Sequence, residues 1–262
     1  MTSITGYSNG QFSWIDLITP DLRASRNFYS ELFDWDMVDV PVDRDYFFVD
    51  FQFAGRTVAG MQEMPQNLRN EGKPAVWASE VNVHDIDAVT DEAEYLGATI
   101  EMPPKQILDL GRMAVLVDPL GTRISLWEPG NQAGAEMMNR PASLCWNELI
   151  TPNPDISLRF YGDLFDWTFQ QTDELDLVYY EIFNNGRPNG GVVEMNSGWA
   201  GRKPHWMPYV SVFDCDVILE KVVKLGGTAD MVPIDIAPGR FSVIVDPLGA
   251  AITVMKLNAP AR

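Results

Sequence analysis

The chain has 262 residues, 46% of them hydrophobic and 21% charged, an ordinary globular composition with enough length for two hydrophobic cores. Its net charge of −18 is spread over both halves, with 9 basic against 21 acidic residues in 1–131 and 10 against 16 in 132–262. Such a surface repels nucleic acid and anionic lipid, and no apolar run reaches the roughly 18 residues that cross a bilayer, so neither is an expected partner.

In chain order, Phe12–Ile18 alternates, with Phe12, Trp14, Asp16 and Ile18 on one face and Ser13, Ile15 and Leu17 on the other, which predicts a strand. Thr19-Pro20-Asp21 supplies helix-start chemistry, and Leu22, Ser25, Phe28, Tyr29, Leu32 and Phe33 follow at helical spacing over 21–33. A short strand is expected near Asp36–Val40, then a hairpin of Tyr46–Phe53 and Arg56–Glu63 turning at Ala54-Gly55. The same β-α-β-β-β order then recurs. Ala75–Val83 reads as a strand and Asp85–Leu96 as a helix stopped by Gly97. Thr99–Met102 reads as a short strand, and Arg112–Val117 with Thr122–Trp127 as a hairpin across Asp118-Pro119-Leu120-Gly121.

After residue 131 the chain repeats itself. Residues 12–37 and 144–169 share 12 of 26 positions, among them Trp14/Trp146, Thr19-Pro20/Thr151-Pro152, Phe28-Tyr29/Phe160-Tyr161 and Phe33-Asp34-Trp35/Phe165-Asp166-Trp167. The correspondence continues through Gly55-Arg56/Gly186-Arg187, Val81-Asn82-Val83/Val210-Ser211-Val212 and Asp118–Gly121/Asp246–Gly249. A period this long is a duplicated domain, not a solenoid unit. Residues 130–140 read as the linker, giving domains over 8–130 and 141–258, each able to build a core of its own. The start, MTSITGYSNG, has neither the basic residues nor the apolar stretch of a secretory signal. Cys145 and Cys215 fall outside any metal-like spacing, and a reduced, cytoplasmic setting is expected.

Four βαβββ units, two per domain, resemble the vicinal oxygen chelate superfamily of glyoxalase I, bleomycin-resistance proteins, fosfomycin-resistance enzymes and extradiol dioxygenases. The resemblance rests on the strand–Thr-Pro–helix–Phe-Tyr opening, the mid-domain Val-x-Val strand followed by Asp85 or Asp214, and the Asp-Pro-Leu-Gly hairpin, all occurring twice in order. The layout is similar to that of the tandem two-domain glyoxalase-like subgroup. It implies an α+β fold of two tandem domains, each a pair of βαβββ units curled into an open eight-stranded β-sheet cup with flanking helices and a ligand inside.

In metal-using members the resemblance implies His or Gln, Glu, His and Glu ligands at the cup floor. The corresponding positions here are Trp14 and Trp146, Gly60-Met61 and Gly191-Val192, Ala78 and Met207, and Glu128 and Lys256. Glu128 alone matches a ligand type, so no metal or other cofactor is expected. A divalent ion, if one binds, would fall to Glu128 and Glu148.

Asp16 and Glu148 lie two residues beyond the ligand-position tryptophans and share their face, so Asp16, Glu148 and Glu128 are the candidate catalytic carboxylates. Combining the first strand of one domain with the last of the other would pair Glu148 with Glu128, sharing a proton, and Asp16 with Lys256, as a salt bridge. Trp14, Trp77, Trp146 and Trp206, with Met207 and Lys256, are candidate ligand-binding residues, since aromatic faces suit flat or cationic molecules. Three functions follow from these features. One is a metal-independent binder of a small organic molecule, in the manner of the bleomycin-resistance branch. A second is a metal-dependent glyoxalase-like lyase, isomerase or dioxygenase using Glu128 and Glu148. The third is a non-catalytic interaction scaffold. A small organic molecule is the expected partner, and the chain is expected to be a monomer or homodimer.

Overall fold

In a computed structural model of the chain, residues 3–42, 47–174, 177–199 and 201–258 are described. The first half runs β1 (Gln11–Thr19), α1 (Leu22–Phe33), β2 (Asp36–Pro41), β3 (Phe47–Phe53), β4 (Arg56–Glu63), α2 (Gln66–Asn70), β5 (Val76–Asn82), α3 (Ile86–Tyr95), β6 (Thr99–Ile107), β7 (Gly111–Val117) and β8 (Arg123–Pro129). The second half follows with β9 (Ser143–Thr151), α4 (Pro154–Phe165), β10 (Thr168–Glu174), β11 (Leu177–Asn184), β12 (Arg187–Glu194), β13 (His205–Ser211), α5 (Cys215–Lys224), β14 (Thr228–Ala229), β15 (Ile234–Ile236), β16 (Gly239–Val245) and β17 (Ala251–Leu257). Tyr46, the expected first residue of β3, lies outside the described residues. β6 runs to Ile107, five residues past the expected Met102, and β5 starts the second unit one residue later than expected.

The helices begin where cap chemistry puts them. The carboxylate of Asp21 accepts the backbone N–H of Ala24, that of Asp85 accepts Ala88 N–H, and the Asn153 side chain accepts Ile156 N–H. Both α1 and α4 stop at an aspartate in the left-handed region, Asp34 (φ 56°) and Asp166 (φ 57°), which turns the chain into the next strand.

Each half forms one sheet, ordered β2-β3-β4-β1-β5-β8-β7-β6 in the first, with β10-β11-β12-β9-β13-β17-β16-β14 as its counterpart. β1 and β5 pair antiparallel at the centre, while β1–β4 and β5–β8 are parallel, so each βαβββ unit folds about its own parallel pair. One face of each sheet packs on helices and the other lines a cup.

The two halves do not keep separate cores, although each is long enough to have one. One core joins Ile15, Leu17, Phe28, Tyr29 and Phe51 of the first βαβββ unit to Val210, Val222, Ile244 and Ile252 of the fourth. Another joins Val81, Ile86, Ala114 and Leu126 of the second unit to Leu149, Phe160 and Tyr161 of the third, with Trp206 of β13 packed among them. The reason lies in the helices, whose apolar faces cover more than their own sheet and are closed by the opposite half.

The Asp-Pro-Leu-Gly hairpins fasten this interface. The Asp118 Oδ1 accepts the N–H groups of Leu120 and Thr122 at 2.8 Å each, while its Oδ2 accepts the Tyr161 hydroxyl of the other half at 3.0 Å. Asp246 holds its own turn in the same way and accepts the Tyr29 hydroxyl at 3.0 Å. Each tyrosine in turn accepts an indole N–H, from Trp77 at 2.9 Å and from Trp206 at 3.1 Å. Among the described residues no helix is long and apolar enough to cross a membrane.

Candidate functional site

Period-two alternation on β1 sends Ile15 and Leu17 to the helices and Trp14 and Asp16 into the cup. Register then fixes their neighbours. Asp16 lies opposite Gly60 on β4 and Ala78 on β5, while Trp14 lies opposite Glu80. Glu80 therefore projects into the same cup, two residues beyond Ala78. The first cup encloses a cavity of about 1060 Å³. Its walls include Trp14, Phe48, Met113 and Trp127, and its polar groups include Asp16, Asp50, Gln62 and Glu80.

Gly60 makes the floor possible. A Cβ there would stand 2.4 Å from Asp16 Oδ1 and 3.0 Å from the Trp14 indole, so the bare backbone admits the carboxylate and the ring together. Asp16, 6% exposed, accepts hydrogen bonds from the Gln62 amide and the Trp14 indole N–H. Burial raises its pKa to about 7, held back by Gln62 and raised further by Asp50. Burial, with Glu136 adding to it, lifts Asp50 to about 6. Glu80 is 3% exposed, and its carboxyl makes no hydrogen bond among the described residues. Burial pushes its pKa well above the carboxylate range, and the charge of Asp16 adds to the effect.

The second cup is built on the same positions, and its own side chains close over its floor. Glu148 stands where Asp16 does and Tyr209 where Glu80 does, opposite Trp146. The Tyr209 hydroxyl donates to Glu148 Oε2 at 2.7 Å, and Tyr179 donates to the same carboxylate while accepting the Trp146 indole N–H at 3.0 Å. A Cβ at Gly191, the counterpart of Gly60, would fall 1.9 Å from the Tyr179 hydroxyl, so the phenol occupies this cup's floor. Cys145, Ile150, Met207, Tyr209 and Met255 complete the packing. Burial raises Glu148 to about 7, with the two phenols pulling it back.

Several expected side chains stand elsewhere. Trp77 and Trp206 are buried against the helices between the halves and line neither cup, because each is one residue away from a cup-facing position and alternation reverses it. Glu128 likewise lies on the helix side of β8, where its Oε2 accepts the N–H of Ile86, the first residue of α3, at 2.8 Å. Trp127 takes the cup-facing place instead. The Glu148–Glu128 and Asp16–Lys256 pairs do not form. Lys256 Nζ sits 3.1 Å from Asp214, the N-cap of α5. Both last-strand residues serve helix N-termini, because each lies on the helix-facing side of its strand.

Of the expected ligand positions, Trp14, Gly60 and Ala78 lie on the cup face and offer a divalent ion no donor, while Glu128, the one matching type, lies on the helix side. The two donors on Asp16 are N–H groups. Among the described residues no three His, Cys, Asp or Glu side chains converge as a metal site. Glu80 is the site residue that sequence reasoning missed. The signal was present, because the step of two residues that picks out Asp16 from Trp14 also picks out Glu80 from Ala78.

Comparison with known proteins agrees with the fold. The profile of the Glyoxalase/Bleomycin resistance protein/Dioxygenase superfamily matches residues 11–126. The chain is 34% identical to "Putative glyoxylase CFP32" of Mycobacterium tuberculosis, over 95% of this chain and 96% of that one. It is 32% identical to the anthracycline biosynthesis protein DauV of a Streptomyces species, over 97% and 96%. Among solved structures, a Mn(II)-bound glyoxalase from Novosphingobium aromaticivorans superposes with a TM-score of 0.64 at 12% identity, covering 100% of this chain and 87% of that one. A homoprotocatechuate 2,3-dioxygenase from B. fuscum gives 0.63 at 15% identity, covering 97% and 73%. The chain belongs to the Glyoxalase/Bleomycin resistance protein/Dioxygenase superfamily.

Proposed function

We propose that this protein binds one small, flat organic molecule in the cup of its first half and does so without a divalent ion. The observation that carries the reading is the contrast between the cups. The first encloses about 1060 Å³ between aromatic and apolar walls with a few convergent polar groups, whereas phenols and methionines close over the floor of the second. That volume suits a molecule of several fused rings, with Trp14 and Trp127 offering faces for stacking. The name of the relative DauV, an anthracycline biosynthesis protein, points to the same chemistry. The donor set supports working without a metal, because indole and glycine stand where ligands would be needed. A concave cavity of this size is not what a bare interaction scaffold requires.

Titration with hydroxyanthraquinones such as alizarin, followed by tryptophan fluorescence, tests the reading. Quenching should saturate at one molecule per chain, be unchanged by EDTA, and be lost when Met113→Trp fills the cavity. Failure to saturate, or a requirement for added Mn(II) or Zn(II), would overturn it.

A further inference from the structure

Glu80 carries a buried carboxyl group that no described residue hydrogen-bonds. It lines the first cavity, is 3% exposed, and has no hydrogen-bond partner among the described residues. Such a group ordinarily costs stability. The second cup shows the arrangement that avoids this cost, since Tyr209 at the equivalent position donates its hydroxyl to Glu148. The first cup keeps two carboxyl groups, bordering its cavity, where the second keeps a carboxyl and a phenol.

The surroundings separate the roles of the two acids. Asp16 accepts the Gln62 amide and the Trp14 indole N–H, both of which favour its ionised form. Glu80 has no donor among the described residues and faces the charge of Asp16, which favours its neutral form, and it lines the cavity. Asp50 on β3, across Gly60 from Asp16, and Glu136 beyond it add negative potential, and Lys105 of β6 is the cation among the described lining residues. Two carboxyls pushed apart in this way form the usual signature of an acid and a base working together.

We propose that Asp16 and Glu80 form an acid–base pair that moves a proton on the molecule bound in the first cup. This rests on the binding reading above. For a ligand with an acidic C–H beside a carbonyl, the Asp16 carboxylate takes the proton. The C–H electron pair becomes the C=C bond of an enol, and the carbonyl oxygen takes the proton of Glu80. Asp16 is then protonated and Glu80 ionised, and ketonisation returns both protons, to the same carbon or to another along a conjugated path. The result is exchange or isomerisation with no oxidant, reductant or metal consumed.

The test uses the full-length protein and 2-tetralone in D₂O, with loss of the α C–H signal followed by proton NMR and binding followed by tryptophan fluorescence. Exchange on the wild type should exceed the buffer rate and rise with pH through the region near 7 where Asp16 ionises. Asp16→Asn and Glu80→Gln, checked for folding by circular dichroism, should each lower it on the order of 10²-fold. An infrared carboxylic-acid component at pH 7, distinct from those of Asp16 and Glu148 and missing in Glu80→Gln, should accompany this result. Binding of 2-tetralone without accelerated exchange would overturn the acid–base pair and leave the binding reading standing. The absence of that infrared component would overturn the pair whether or not the ketone binds. A ketone that neither binds nor exchanges would overturn both readings.

Discussion

Glu148 gives the sharpest stability prediction, because its environment is complete and its chemistry can be changed by one atom. Burial holds its folded-state pKa at about 7 against an ordinary value of 4.5, even with Tyr209 and Tyr179 donating to it. The folded state therefore binds a proton that the unfolded state has released between these values. With more protons bound in the folded state, stability falls as pH rises, beginning above the unfolded value and ending once the folded group has ionised. Integrating between pH 5 and pH 8 gives a loss of about 2–3 kcal/mol from this one group, as an upper figure. Glu148→Gln keeps the shape and removes the titration. Its carbonyl can accept one phenol and its amide can donate to the other, so most of the hydrogen bonding survives. Urea denaturation at pH 5 and pH 8 measures the difference. The variant should lose about 2–3 kcal/mol less than the wild type over that range and be the more stable of the two at pH 8. Equal losses in the two proteins would refute the claim that Glu148 is buried and neutral at mildly acid pH.

Other outcomes follow from the shared cores and the cup floor. Tyr29→Phe leaves the Trp77 indole N–H without its acceptor at 2.9 Å and one Asp246 oxygen without its donor at 3.0 Å. A destabilisation of about 2–5 kcal/mol is expected in urea, partly relieved by adding Trp77→Phe, and a change under about 0.5 kcal/mol would contradict it. Residues 1–130 expressed alone expose the faces of Phe28, Tyr29 and Phe33 that the second half covers. They should be unfolded, or dimerise to rebuild the interface, as judged by size exclusion and thermal melting. A folded monomer with a cooperative transition would contradict the shared-core description. Gly60→Ala sets a Cβ against Asp16 Oδ1, so it should weaken ligand binding at least tenfold while the corresponding change in the exposed turn at Gly55, where nothing lies within 4 Å, leaves affinity alone. Fluorescence titration of both variants decides this.

The duplicated architecture was legible in the residues because its signals are local and occur twice. Alternation in Phe12–Ile18, the Thr-Pro-Asp helix start and the Asp-Pro-Leu-Gly turn each specify an element without help from tertiary contacts. The Trp14–Asp16 face was also legible, since a strand has only two faces and Ile15 and Leu17 claim the other. What did not follow was the partnership between halves. Nothing in the spacing of Tyr29 and Asp246, 217 residues apart, announces that one hydroxyl fastens the other's turn. Pairing Glu148 with Glu128 required choosing how strands of different halves combine, and a periodic pattern holds no information on that choice. Trp77 and Glu128 were misplaced by a single residue of register, enough in a strand to exchange cup for core. Glu80 did not follow from the expected ligand position at Ala78, because the structure uses the next residue on the same face.

The most direct measurement is a nitrogen-15 NMR titration of the tryptophan side chains with alizarin. The indole N–H resonances of Trp14 and Trp127, which face the first cavity, should shift together and saturate at one equivalent. Those of Trp77 and Trp206, bonded to Tyr29 and Tyr161 in the shared cores, should stay in place, as should that of Trp146 under Tyr179. Saturable shifts at Trp146 with Trp14 and Trp127 unmoved would place the ligand in the wrong cup and contradict the account.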